Sequence, residues 1–231
     1  MKKRYFELDF LRGFGIILMI AFHFGYDLSY FGYTNYQTTV DIQWKVFRSV
    51  VLSIFLLVVG MSSYLAFSKS INWKKVFKRS MKLFFISLLI SLGSYSVFEN
   101  SWIYFGVIHF ILVAGLVSLI FVRLPNFSLL LGLAFLLSYN LGYFHLDAFL
   151  SFAQSNLGIP PHTQDVVSFT PWFGLVLIGI FLMHHKLFSF RVRETKTTQG
   201  ISFLGKHALI IYLVHQPILF GAFNALAWVS N

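Results

Sequence analysis

Asp9, Arg12, His23 and Asp27 lie within the first apolar stretch and carry the groups best suited to chemistry. His23 and Asp27 are four residues apart, which puts them on one face of a helix. A carboxylate bonded to one imidazole nitrogen fixes the tautomer and leaves the other nitrogen as a base. That is the minimal apparatus for deprotonating a hydroxyl or an amine. The same spacing also suits a polar pair that merely ties two helices together, worth about 1 kcal/mol. Asp9 and Arg12, three apart, read either as an intrahelical ion pair at the headgroups or as a guanidinium facing a phosphate or carboxylate. Gly13 and Gly15 follow and would let another backbone or a ligand come close.

Three more groups join this set. His109 enters its apolar stretch from the outer side and lies about 10 Å deep, close to the roughly 9 Å of His23 at 1.5 Å per residue. His215 is roughly 14 Å from the inner face by the same rise. Arg48 stands near the outer mouth of the second stretch, within range of Asp27. An ionisable group near a bilayer centre costs of order 2.5–3.5 kcal/mol, so several together imply a wet polar cavity among helices. Metal chemistry is not expected: no HxxxH or HExxH spacing occurs, and His184 and His185 do not share a helix face. His145 and His162 could meet in the outer loop but read as solvated.

The elements that must position these residues follow from composition. The chain has 231 residues, 57% of them hydrophobic, 11% charged and 29 of them Phe, with a mean hydropathy of +0.73. A soluble domain averages roughly 25% charged residues, so a water-soluble fold is excluded, and so is disorder, which is poor in apolar residues. Without Cys there are no disulfides, thiolate metal sites or Cys nucleophiles. A bilayer-crossing helix needs about 20 apolar residues. Seven stretches approach that length: 9–29, 46–67, 82–98, 102–122, 126–144, 168–185 and 207–228. The expectation is an all-α, polytopic transmembrane bundle, a single integral-membrane domain over 1–231.

Sidedness follows from Lys and Arg. Of 18 such residues, all but Arg12, Lys45 and Arg48 fall on alternate connections. The positive-inside rule then places the N-terminus in the cytoplasm and the C-terminus outside, in a multi-pass cell-membrane protein. Trp44, Trp102, Trp172 and Trp228 fall near outer ends, where indole rings prefer to lie. The net charge of +10 is thereby assigned to membrane sidedness, not to nucleic acid. Lys2–Arg4 before an apolar run could open a signal peptide, but no small-residue cleavage site follows, so a retained first helix is expected. Residues 145–167 form the one long outer connection. Leu146, Phe149, Leu150 and Phe152 with Gln154 and Asn156 suggest a short interfacial helix ended by Gly158, Pro160 and Pro161. Tyr26, Tyr30, Tyr33 and Tyr36 read as an interfacial belt ahead of a sugar-stacking platform. Neither GxGxxG nor a P-loop is present.

Arg4-x-x-Glu7-Leu8-Asp9-Phe10-Leu11-Arg12-Gly13, continuing to Ile20-Ala21-Phe22-His23-Phe24, resembles the first helix of membrane acyltransferases. One such group is the acyltransferase-3 enzymes, whose essential His follows the Arg by eleven residues, as His23 follows Arg12. The closer resemblance is to small bacterial members of the heparan-α-glucosaminide N-acetyltransferase catalytic-domain family. It rests on Tyr26-Asp27-Leu28, Phe105 to Phe110, Thr170-Pro171-Trp172-Phe173-Gly174, and Leu204-Gly205-Lys206-His207 through His215-Gln216-Pro217. The family's His in the first outer loop has no counterpart in residues 30–44, and its well-studied members have ten or eleven spans.

The resemblance implies an acyl-CoA-dependent O- or N-acyltransferase. An acyl group, acetyl by the resemblance, would pass from cytoplasmic acyl-CoA to a hydroxyl or amine of an extracytoplasmic, sugar-type acceptor. Arg12, held by Asp9, and Lys206 on the inner basic surface would bind the CoA phosphates. His23, oriented by Asp27, would be the general base, and His109 or Arg48 would steady the oxyanion. Trp172 and His215 would contact the acceptor, with Pro171 and Trp172 at its entrance. Two other classes remain open: a proton-coupled transporter or flippase using the same residues, and an assembly subunit without turnover. A thin bundle of short-looped helices leaves room for a homodimer.

Overall fold

The computed structural model describes residues 5–143, 152, 154–156, 158–187 and 191–230. Its helices are α1 (Phe6–Tyr30), α2 (Ile42–Phe67), α3 (Trp73–Val97), α4 (Val107–Phe121), α5 (Pro125–Asn140), α6 (Phe169–His184), α7 (Lys196–Lys206) and α8 (Ala208–Ser230). Among the described residues there is no strand, only an isolated parallel bridge between Phe105 and Val166. The all-α class is as expected.

Four helices, α1, α2, α3 and α8, are long and apolar enough to cross a membrane. α4 has 15 residues, α5 and α6 have 16 each. At 1.5 Å per residue these reach about 23–24 Å, against a hydrocarbon core of about 30 Å. The seven expected stretches thus comprise four full-length helices and three short ones. Residues 102–106 are apolar but not helical, because their backbone groups bond to side chains of Ser91, Ser94, His109 and Thr163 and to the Val167 N–H.

Elsewhere the helices exceed the apolar runs. α3 begins at Trp73 rather than at 82, because the Asn72 side chain accepts a hydrogen bond from the Lys75 N–H at 3.0 Å and the lysines that follow are good helix formers. α7 covers a polar segment with no expected span. Thr195 and Thr198 cap its start reciprocally: the Thr198 N–H donates to Thr195 Oγ1 at 3.3 Å and the Thr195 N–H to Thr198 Oγ1 at 2.8 Å. A break at His207 separates α7 from α8. Most of the expected interfacial helix, with His145, lies outside the described residues; Gln154–Asn156 are helical.

The chain divides into two compact units, Met1–Phe55 with Ser189–Asn231, and Leu56–Phe188. In the first, α1 and α7 touch backbone to backbone. A methyl group on Gly13 would collide with the Ile201 carbonyl, and one on Gly205 with the Asp9 carbonyl. Glycine is required at both positions for that approach. Ile16, Met19 and Val51 form an adjoining core against which Phe47, Ala208 and Ile211 pack. In the second unit, α6 closes on α5 and α2 by the same device. Gly174 faces the Gly132 carbonyl, and a methyl on Gly179 would strike the Leu57 carbonyl. Phe173, Val176, Leu177 and Ile180 of α6 are almost wholly buried.

Candidate functional site

The apolar contact of Ile16 and Met19 with Ala208 and Ile211 brings the following turns of α1 and α8 together. There the packing turns polar. The His23 and His215 rings meet edge-on, with centroids 4.8 Å apart and planes inclined at 64°. Nearby, Gln216 Nε2 donates to Asp27 Oδ1 at 2.7 Å. Asp27 is fully buried (0% exposed), His215 nearly so (7%), and His23 half-buried.

The bonds of His215 define its tautomer. Its Nδ1 lies 2.7 Å from the Tyr212 carbonyl oxygen. A carbonyl only accepts, so Nδ1 carries the proton and Nε2 of the neutral ring carries a lone pair. That Nε2, together with Asp27 Oδ2 and Gln216 Oε1, is buried without a hydrogen-bond partner among the described residues. An unsatisfied buried polar group costs about 1–3 kcal/mol, and in a native fold it asks for a reason. Among the described residues no hydrogen bond holds the His23 imidazole either.

Two expected pairings are corrected here. Among the described residues Asp27 does not orient His23 and does not pair with Arg48: one carboxylate oxygen accepts from Gln216 and the other has no hydrogen-bond partner there. The physical reason is that α8 inserts a primary amide, a planar donor of the right length, against the buried carboxylate. Arg48 remains within electrostatic reach of the His23 ring. An unbonded imidazole with a guanidinium nearby can accept a proton while the cation steadies a developing negative charge.

Asp9 and Arg12 form the ion pair that their spacing allows, Arg12 Nη1 to Asp9 Oδ1 at 2.6 Å. Asp9 is 1% exposed and Arg12 29%, so the carboxylate is a buried anchor and the guanidinium keeps an accessible edge. This pair stands where α1 crosses α7. Lys206 is exposed in the last turn of α7, where a cation complements the helix dipole.

The second unit holds His109 and Trp172. His109 Nδ1 accepts from the Gly106 N–H at 3.3 Å, which assigns the proton to Nε2, and Nε2–H donates to Ser91 Oγ at 3.0 Å. Ser91 Oγ donates in turn to the Ile103 carbonyl at 2.8 Å. Both ring nitrogens are therefore engaged in holding the start of α4 and residues 103–106 in place. That is structural work, and it leaves no nitrogen for an oxyanion. Asp165 completes the cap by accepting from the Val107 N–H at 3.1 Å. Residues 101–105 and 163–167 are laced together by Gln164 N–H to Ser101 O at 3.0 Å and Val167 N–H to Phe105 O at 3.2 Å. Trp172 is half-buried in the first turn of α6. His184 and His185 bond separately, to the Tyr64 hydroxyl at 2.7 Å and to Asn126 Oδ1 at 2.8 Å. His162 is exposed.

The tyrosine run meets neighbouring aromatic rings, while Tyr30, Tyr33 and Tyr36 stay exposed. Tyr30 meets Phe220, Tyr33 meets Phe223 and Tyr36 meets Trp44, at centroid distances of 5.2, 5.9 and 5.3 Å. Sequence reasoning missed Gln216, Ser91 and Asp165. Gln216 had a signal, since an amide beside His215 and before Pro217 in an apolar helix must find a partner. Ser91 had none.

A family model described as heparan-alpha-glucosaminide N-acetyltransferase, catalytic, matches residues 4–217. No curated protein and no solved structure matches the chain.

Proposed function

The chain belongs to the heparan-alpha-glucosaminide N-acetyltransferase catalytic-domain family, and from that premise we propose that it is a membrane acyltransferase using acetyl-CoA. The observation that carries the reading is the His23–His215 contact between α1 and α8, a polar pair inside apolar helices in which His215 Nε2 has no hydrogen-bond partner among the described residues. Polar groups at such a depth stay only where they have a task. The acceptor is a hydroxyl or amine on the outer side, and the donor thioester arrives from the cytoplasmic side.

His23 Nε2 or Nδ1 takes the proton of the acceptor as its oxygen or nitrogen attacks the thioester carbonyl. The new bond leaves a tetrahedral oxyanion, which Arg48 stabilises. Collapse breaks the carbon–sulfur bond, and the departing thiolate recovers the proton from His23. A general base of this kind contributes typically 10²–10⁴-fold. Arg12 and Lys206 hold the CoA phosphates, and buried Asp9 fixes the Arg12 guanidinium so that its accessible edge meets them.

Thiol release from acetyl-CoA by the purified chain tests the reading. Release is expected to require an acceptor, and His23→Ala is expected to abolish it while CoA still binds with near-wild-type affinity. Full turnover in that variant would end the role of His23. Solute flux across liposomes without acyl-CoA would point to transport instead.

A further inference from the structure

The three unpartnered atoms along the α1–α8 contact share one chemical character. Asp27 Oδ2, as a carboxylate oxygen, accepts. Gln216 Oε1 accepts, because its amide nitrogen is already spent on Asp27 at 2.7 Å. His215 Nε2 accepts, because the ring proton is fixed on Nδ1 by the Tyr212 carbonyl. All three are buried, and none has a donor among the described residues. A ligand that satisfies them must bring several O–H or N–H hydrogens; one rich in carbonyl or ether oxygens would meet acceptors with acceptors.

We propose that Asp27, His215 and Gln216 form a donor-selective clamp, which holds the acyl acceptor through the hydroxyl or amine hydrogens beside the one that reacts. The clamp rests on the acyltransferase reading, since it presents the acceptor to His23, whose ring lies against that of His215. It restricts acceptors to molecules carrying several neighbouring hydrogen-bond donors and excludes simple alcohols and amines. A site built to bond a substrate's O–H or N–H discriminates strongly against analogues lacking it, because its own buried groups are then left unpaired.

Two variants invert or delete single acceptors. Asp27→Asn keeps an oxygen for Gln216 and turns the other acceptor into a donor. His215→Asn retains a donor for the Tyr212 carbonyl and removes the position of Nε2. The full chain in detergent is titrated with methyl glucoside, which offers four hydroxyls, and with its per-O-methylated form, which keeps the skeleton and offers none.

Wild type is expected to bind the first at least tenfold more tightly than the second, and each variant to lose roughly tenfold in affinity for methyl glucoside alone. Equal binding of the two compounds would overturn the clamp, as would unchanged affinity in both variants or no binding by wild type. If bound water satisfied these atoms instead, affinity would be indifferent to Asp27→Asn. The acetyl-CoA thiol-release assay separates the two proposals. Acceptor-dependent release with donor-blind binding leaves the acyltransferase standing without the clamp. Donor-selective binding with no release leaves the clamp on a protein of another activity.

Discussion

His109 and His215 are the same residue in apolar helices, yet their surroundings are opposite. The His109 ring is satisfied at both nitrogens, by the Gly106 N–H and by Ser91, and Ser91 passes the chain on to Ile103. Among the described residues the His215 ring is bonded at one nitrogen only, and Asp27 Oδ2 and Gln216 Oε1 lack hydrogen-bond partners as well. A network with every bond made holds the fold. A buried set with its acceptors unmet costs stability, and a protein retains it where function uses it. Location within a helix does not separate these two histidines; the completeness of their hydrogen bonding does.

The contrast predicts opposite signs on substitution. The largest effect is expected for His109→Ala, which leaves the Gly106 N–H without its partner, deprives Ser91 Oγ of its donor while its bond to Ile103 remains, and opens a void at the start of α4. Thermal unfolding should report a loss of about 2–3 kcal/mol. An unchanged midpoint would remove His109 from the structural side of the comparison. Asp27→Asn should move the other way, gaining about 1 kcal/mol, because a neutral amide replaces a buried carboxylate and can donate to an orphan acceptor nearby. A destabilised Asp27→Asn would mean that its carboxylate is already compensated. Ser91→Ala should cost about 1 kcal/mol, and the loss should shrink in a His109→Ala background, where only the bond to the Ile103 carbonyl remains to be lost. Gly93→Ala calibrates the scale. Nothing lies within 4 Å of a methyl group there, so a stability change of a few tenths up to about 1 kcal/mol, in the favourable direction, is expected from helix propensity alone.

Much of this could be read in advance. Hydropathy located the apolar helices, and the spacing of Asp9 and Arg12 anticipated their ion pair, because interactions within one helix depend on periodicity. Gly13 was legible as a close approach, though not that Ile201 would be its partner. The pairing of Asp27 with Gln216 was out of reach, since 189 residues separate them and four-residue spacing made His23 the natural partner. Apolarity also overstated the helix at 102–106, where backbone groups bond to Ser91 and Ser94 of α3, to His109 and to Thr163 and Val167 instead. It understated α3 and α7, whose starts are set by the side chains of Asn72 and Thr195.

Acetyl transfer per folded molecule, measured side by side for His23→Ala and His109→Ala, tests the assignment of chemistry to the α1–α8 contact most directly. The expected result is a loss of at least about 100-fold for His23→Ala and less than about tenfold for His109→Ala once its lower stability is allowed for. Near-normal transfer without the His23 imidazole, with transfer abolished in folded His109→Ala, would contradict it.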